Sequence, residues 1–217
     1  MALLTRISNK INRAFRYLIN YQNRKRLTNF NPTIIASNCT GGFIAHDLHL
    51  RFNSPFVNLY LTPNDFIRYL KHIDVYRYHP LTFIQTDKPY PVGKLGDITL
   101  HFMHYANNEE ATQKWQQRTA RMDLDNLFII MTERDGCSYQ DLVEFDKLPF
   151  KHKVVFTHKP YPEIHSAFYI QGFENQQCVG DLFDYTGIFG KRYYDRFDYV
   201  DWFNKGESLE DFENHDD

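Results

Sequence analysis

Between Pro32 and Leu48 the chain passes through three kinds of sequence in under twenty residues. Thr33-Ile34-Ile35-Ala36-Ser37 reads as a short buried strand, Asn38-Cys39-Thr40-Gly41-Gly42 as a tight polar loop, and the residues from Gly41 onward as a helix. A strand that enters a helix through a glycine loop constrains the fold strongly, because that junction belongs to α/β architectures. It also leaves the first amides of the helix without partners and aims the positive end of the helix dipole at the loop. Such a loop is a site for an anion. Cys39 within it stands where a thiolate would be stabilised.

The remainder of the chain repeats the alternation. Phe56–Leu61 is a short apolar run that predicts a strand. Thr62-Pro63-Asn64-Asp65 predicts a helix over 63–74, with Thr62 as N-cap and Pro63 at the first helical position. Residues 75–97 are rich in Pro, Gly and Tyr and read as a loop or hairpin turning at Tyr90-Pro91-Val92-Gly93. A strand follows over Asp97–Tyr105. Asn107 with Glu110 resembles a capping box and opens a helix to about Met122. Leu127–Thr132 is a near-continuous apolar run, hence a buried strand. A short helix over Ser138–Phe145, a strand over Lys153–Thr157, a further strand at Ala167–Gln171 and a helical stretch over Lys191–Asn204 complete the pattern. This order predicts a parallel or mixed sheet with helices on both faces.

The ends differ from this body. Leu3, Leu4, Ile7, Ile11, Ala14, Phe15, Leu18 and Ile19 recur at helical spacing, with basic residues between them. Residues 1–29 therefore form a basic amphipathic segment, helical over 3–26. Either it lies on an anionic membrane surface, at the inner membrane, or it packs its apolar stripe on the domain or on a second copy. Residues 30–204 form one α/β domain, and 205–217 an acidic tail expected to be disordered.

Composition narrows the function classes. A net charge of −2 argues against a nucleic-acid binder. Three widely spaced cysteines imply no disulfide framework and a cytoplasmic location. No CxxC pair suggests zinc, and His46, Asp47 and His49 lack a further ligand, so no metal is expected. No apolar run is long enough to span a bilayer, and the N-terminus lacks signal-peptide features. Aromatic residues make up 17% of the chain, enough to line a groove for sugars or bases as well as to fill a core.

In open α/β sheets ligands bind beyond the C-terminal ends of the strands, which selects four loops. In the first, Asn38, Thr40, Gly41 and Gly42 would hold a phosphate, carboxylate or oxyanion, and Cys39 would be a nucleophile or a liner. The sequence matches neither the Walker loop nor the full GxGxxG fingerprint. In the second, His104 is the better-placed general base, because His101 and His104 would point to opposite faces of a strand. In the third, Glu133 or Asp135 would act as base or bind a sugar hydroxyl or metal, and Arg134 would grip an anion. In the fourth, His158 or Lys159 would contact an anionic donor. Each loop also has an ordinary reading, as a packed turn, a core histidine or a salt-bridged corner.

Taken together, several segments resemble a bacterial family of unknown function (domain of unknown function 1919 type) linked by name with exopolysaccharide and capsule biosynthesis. They are Ser37–Gly42, Ser54–Leu59, Tyr90–Gly93, Asp97-Ile98 with His101–Tyr105, Lys114-Trp115 with Arg118, Asp125–Met131 running into Glu133–Cys137, and Phe197–Trp202. The resemblance covers roughly 30–204 and implies a three-layer, Rossmann-like α/β fold with a role in making cell-surface polysaccharide. The Asn-Cys strand end is also similar to the opening of capsule acetyltransferases that bind coenzyme A, although Gly41-Gly42 departs from that pattern. The expectation is a transferase, possessing a small-molecule donor and a sugar or lipid-linked sugar acceptor. Acyl transfer from a coenzyme A derivative is the first form. Glycosyl or phospho-glycosyl transfer from a nucleotide sugar is the second, and a non-catalytic membrane-associated scaffold the third.

Overall fold

The unbroken apolar runs form the centre of a parallel sheet. The computed structural model describes the backbone of residues 2–209 and 211, with side chains from Ser8 onward. Strands β1 (Thr33–Ala36), β5 (Leu127–Thr132), β6 (Lys153–Thr157) and β7 (Ala167–Tyr169) pair in the order β1-β5-β6-β7, every pair parallel. Between β1 and β5 the chain forms α2 (Thr40–Asp47), α3 (Pro63–Lys71), α4 (Ile73–Tyr76), strands β2 (Leu81–Ile84), β3 (Val92–Leu95) and β4 (Ile98–His101), and α5 (Asn108–Thr119). Strands β2-β3-β4 form a small antiparallel sheet. Helix α6 (Tyr139–Asp146) follows β5, α7 (Tyr199–Lys205) closes the fold, and α1 (Ala2–Arg26) precedes it.

Because successive strand residues point to opposite faces, each central strand feeds two cores. Ile35, Ile129, Met131 and Val155 pack with α3, α5, α6 and the antiparallel sheet. Ile34, Ala36, Phe128, Ile130, Val154 and Phe156 pack with α2, α7 and the segment before α7. The protein is therefore a three-layer α/β fold. Gly41 permits the tight seat of α2 on β1, since a Cβ there would fall 2.7 Å from Ala36 Cβ.

Several elements differ from expectation. Phe56–Leu61 is not a strand: it runs along the free edge of β1, where Leu61 N–H reaches Ser37 C=O at 3.1 Å, and Tyr60 forms an isolated bridge with His101. The stretch 75–97 contains a real hairpin, with Val92-Gly93 inside β3 instead of in a turn. The strand expected over 97–105 stops at His101, and the helix expected over 191–204 is a 3₁₀ turn at Tyr193–Arg196 followed by α7. The expected helix caps are present: Thr62 accepts from Asp65 N–H and Asn107 from Glu110 N–H. The acidic tail lies partly outside the described residues (210 and 212–217), and within them Leu209 is buried.

Helix α1 docks on the domain, but through its polar face. Asn12 and Arg16 are buried, and Arg16 contacts Asp47 and Asp195 and donates to Tyr194 Oη at 2.9 Å. Asn20 donates to Asp47 at 2.9 Å, and Asn23 to Tyr199 Oη at 3.0 Å. Gly190 N–H donates to Asn12 Oδ1 at 3.0 Å, and a Cβ on Gly190 would lie 2.8 Å from Asn12 C=O. Burial acts to raise the pKa of Asp47, but the charge of Arg16 and the hydrogen bonds from Tyr194 and Arg16 outweigh it and hold the carboxyl below its ordinary value.

This network makes a prediction. Arg16→Met removes the cation shared by Asp47 and Asp195, leaving Asp47 only the Arg192 cation at 3.8 Å, and should cost up to about 3–5 kcal/mol in denaturant unfolding. Because the pKa of Asp47 is depressed on folding, its contribution is complete above the unfolded value of 3.8 and is lost as pH falls below it. Asp47→Asn should therefore flatten the acid limb of the stability profile.

Candidate functional site

The helices that follow β1 and β5 leave on opposite faces of the sheet. Ile44 and Ala45 of α2 belong to one core, and Leu142 and Phe145 of α6 to the other. Adjacent strands whose helices diverge open a crevice at their C-terminal ends. The loop after β1 and the loop after β5 line it together, in a cleft of about 560 Å³. That volume is within the usual range for a small-molecule site.

The cleft gathers Asn38, Cys39, Thr40, His104, Arg134 and Asp135 from three separate loops. Asn38 Oδ1 accepts from Thr40 N–H at 3.1 Å, which shapes the turn into α2. Arg134 donates to Gly180 C=O at 3.2 Å and pairs with Asp181 at 2.6 Å, while its Nε lies 3.7 Å from Asp135. Asp135 has φ +58°, a left-handed conformation that side chains other than Gly, Asn and Asp rarely adopt. Burial raises the Asp135 pKa, Arg134 opposes the rise and Asp181 adds to it. A carboxylate held above its ordinary range in a cleft is suited to proton transfer.

Part of the cleft wall is aromatic, lined by Phe43, Tyr60, Tyr90 and Phe183. Phe43 and Phe183 stack with centroids 4.7 Å apart. Tyr60 stacks on His101 at 4.4 Å, and burial together with the Tyr90 hydroxyl pushes the Tyr60 pKa to about 12. Burial lowers the His101 pKa. The segment Asp181–Phe183, from the long connection after β7, carries part of this wall.

Other expected site residues are placed elsewhere. Glu133 is buried and does not line the cleft, because its carboxylate is already occupied. Its Oε2 accepts from His158 N–H at 2.9 Å and from His158 Nδ1 at 2.6 Å, and its Oε1 accepts from Tyr161 at 2.6 Å. His158 contacts Glu133 through Nδ1 and does not line the cleft. Gly41 and Gly42 are buried and do not line the cleft, and Gly41 serves the contact with β1. Cys39 lines the cleft, yet burial raises its thiol pKa against the pull of Arg134, so it stays protonated at neutral pH and is not set up as a nucleophile. Arg134 is neutralised by Asp181 and Asp135, which weakens it as an anchor for an anion. His46 and His49 form no metal site with Asp47, whose carboxylate serves Arg16; among the described residues no group of three His, Cys, Asp or Glu side chains is arranged to hold a metal.

Tyr60, Tyr90, Phe43, Phe183 and Asp181 were not identifiable from sequence. In a chain with 15 Tyr and 19 Phe, nothing separates groove aromatics from core aromatics until the backbone places them.

Residues 10–204 match the family described as "Domain of unknown function (DUF1919)". An uncharacterized protein of Haemophilus influenzae is 59% identical over 199 residues, covering 92% of this chain and 97% of the relative.

Two substitutions separate the roles. Asp135→Asn removes a carboxylate whose pKa is raised by folding, so its charged form costs stability as pH rises from 3.8 through the folded value and above. Asn also tolerates φ > 0. The variant should gain about 0.5–2 kcal/mol at neutral pH. Glu133→Gln weakens the hydrogen bonds that His158 and Tyr161 make to this buried carboxylate and should lose about 1–3 kcal/mol. Urea unfolding at neutral pH distinguishes the two signs.

Proposed function

We propose that this chain, which belongs to the DUF1919 family, is a transferase that binds a sugar in this cleft and acts on one of its hydroxyl groups. The observation that carries the reading is the convergence, in one cleft of about 560 Å³, of aromatic side chains and the Asp135 carboxylate, about one-third exposed, with its pKa raised. Sugar rings pack their C–H faces on aromatic rings, while carboxylates and amides take the hydroxyls. The fixed charges of Arg134, Asp135 and Asp181 sum to −1, which suits a polyhydroxylated acceptor better than a phosphate at that end of the cleft.

Acyl transfer is the reaction this reading adopts, with a coenzyme A thioester as donor. Asp135 takes the proton of the acceptor hydroxyl as its oxygen attacks the thioester carbonyl. The C–S bond then breaks and the proton passes from Asp135 to the departing thiolate. His104, on the same cleft, orients the acceptor or shares the proton. The donor meets the start of α2 through Asn38, Cys39 and Thr40. A place in cell-surface polysaccharide assembly is part of the proposal and rests on the sequence resemblance, with a lipid-linked sugar as one form of acceptor.

The test is a thermal-shift screen of coenzyme A, acetyl-coenzyme A and nucleotide sugars, each with and without divalent cation. A ligand at 100 times its Kd should stabilise the fold by about 2.7 kcal/mol. Stabilisation by the acyl donor, with transfer reduced about 10²–10⁴-fold in Asp135→Asn, supports the proposal. Stabilisation only by nucleotide sugars replaces it with glycosyl transfer. No response to any donor, or full activity in folded Asp135→Asn and His104→Ala variants, refutes it.

A further inference from the structure

Helix α1 is amphipathic in the opposite sense to a helix that stabilises its own domain. Such helices bury the apolar stripe and leave the polar side to water. Here the polar side chains Asn12, Arg16, Asn20 and Asn23 face the domain. Ile11, Phe15 and Leu18, at i, i+4 and i+7, share the outer face and are 38%, 40% and 54% exposed. The turn before the 3₁₀ segment enlarges this surface. Phe189 meets Phe15 edge-on with centroids 5.5 Å apart, and Ile188 and Phe189 are 52% and 64% exposed.

The helix itself carries charge of one sign. Residues 1–46 contain no Asp or Glu. Arg16 and Arg26 are paired with carboxylates, and Arg24 donates to Asp47 C=O. Lys10, Arg13 and Lys25 are exposed and have no carboxylate partner among the described residues. At about 100° per residue, Lys25 continues the apolar line seven residues beyond Leu18, Lys10 lies about 100° to one side of it, and Arg13 lies on the far side of the helix. A symmetric pairing of two copies through this face would bring like charges together. An anionic lipid surface matches both properties, with acyl chains for the apolar line and headgroups for the cations. No described helix is long and apolar enough to cross a membrane, so the geometry is that of a helix lying in the interface.

We propose that the outer face of α1, with Ile188 and Phe189, is a docking surface for an anionic membrane. The Arg16 network holds the helix to the domain by its polar side and presents its apolar side to the lipid. This inference uses no feature of the cleft and stands or falls apart from it.

The test is sedimentation of the full chain with vesicles of phosphatidylcholine alone and of phosphatidylcholine mixed with phosphatidylglycerol. Partition into the anionic vesicles, weakened by salt, is expected. Leu18→Glu and Phe189→Glu, both at exposed positions, should keep the wild-type melting temperature and reduce partition at least about tenfold. Lys10→Glu with Lys25→Glu, both exposed, should reduce it on anionic vesicles. Absence of partition, or partition that these folded variants leave unchanged, overturns the proposal. A concentration-dependent dimer in sedimentation velocity that Leu18→Glu abolishes, without vesicle binding, overturns it in favour of a second copy of the chain.

Discussion

The parallel pairing of β1 with β5, Thr33 to Ala36 against Leu127 to Ile130, is the constraint on which the molecule depends. It joins two segments separated by about ninety residues of chain. It also sets side by side two loops whose helices must leave on opposite faces, since α2 serves one core and α6 the other. A crevice at that point is a consequence of topology before any side chain is considered. Arg134 and Asp135 then enter from one loop, Asn38 to Thr40 from the other, and His104 from the turn after the antiparallel sheet.

Helix α2 links this cleft to the N-terminal helix. Its first residue, Thr40, lines the cleft, and its last, Asp47, accepts from Arg16, Asn20 and Tyr194. Arg192 adds a second connection: it donates to Tyr194 Oη at 3.0 Å and lies over the Phe43 ring at 5.5 Å. A helix docked by ion pairs and amides instead of apolar side chains forgoes burial energy on its own account. That choice keeps its apolar face outside the domain, which is why the network and the outer surface are best understood together.

Much of the scaffold was legible in the sequence where one physical rule dominated. Thr33–Ala36, Leu127–Thr132 and Lys153–Thr157 are strands because doubly buried parallel strands demand unbroken apolar runs. Thr62 and Asn107 cap helices through side-chain oxygens, a local device. Phe56–Leu61 misled because burial along a strand edge needs the same apolar residues as pairing does. Residues 75–97 were legible as a loop or hairpin, but the half-exposed β2 and the Pro-rich connection hid where its strands and turn lie. In the site, strand-end logic found Asn38, His104, Arg134 and Asp135, but not which acid faces the cleft. Glu133 and Asp135, two residues apart, would share a side in extended chain. The left-handed φ of Asp135 breaks that alternation and leaves Glu133 to His158 and Tyr161. The aromatic wall needed the tertiary structure, because Phe43, Tyr60, Tyr90 and Phe183 come from four distant segments.

The proposed role of Asp135 requires that its carboxyl, about one-third exposed in the crevice between β1 and β5, titrate above the ordinary aspartate value. The most direct measurement is an NMR pH titration of its side-chain carboxyl carbon in the full chain, assigned by loss of the signal in Asp135→Asn. The account requires a midpoint above the ordinary value of 3.8, on a chain that stays folded throughout the titration. A midpoint at or below 3.8 would mean that Arg134 outweighs burial, and would contradict it.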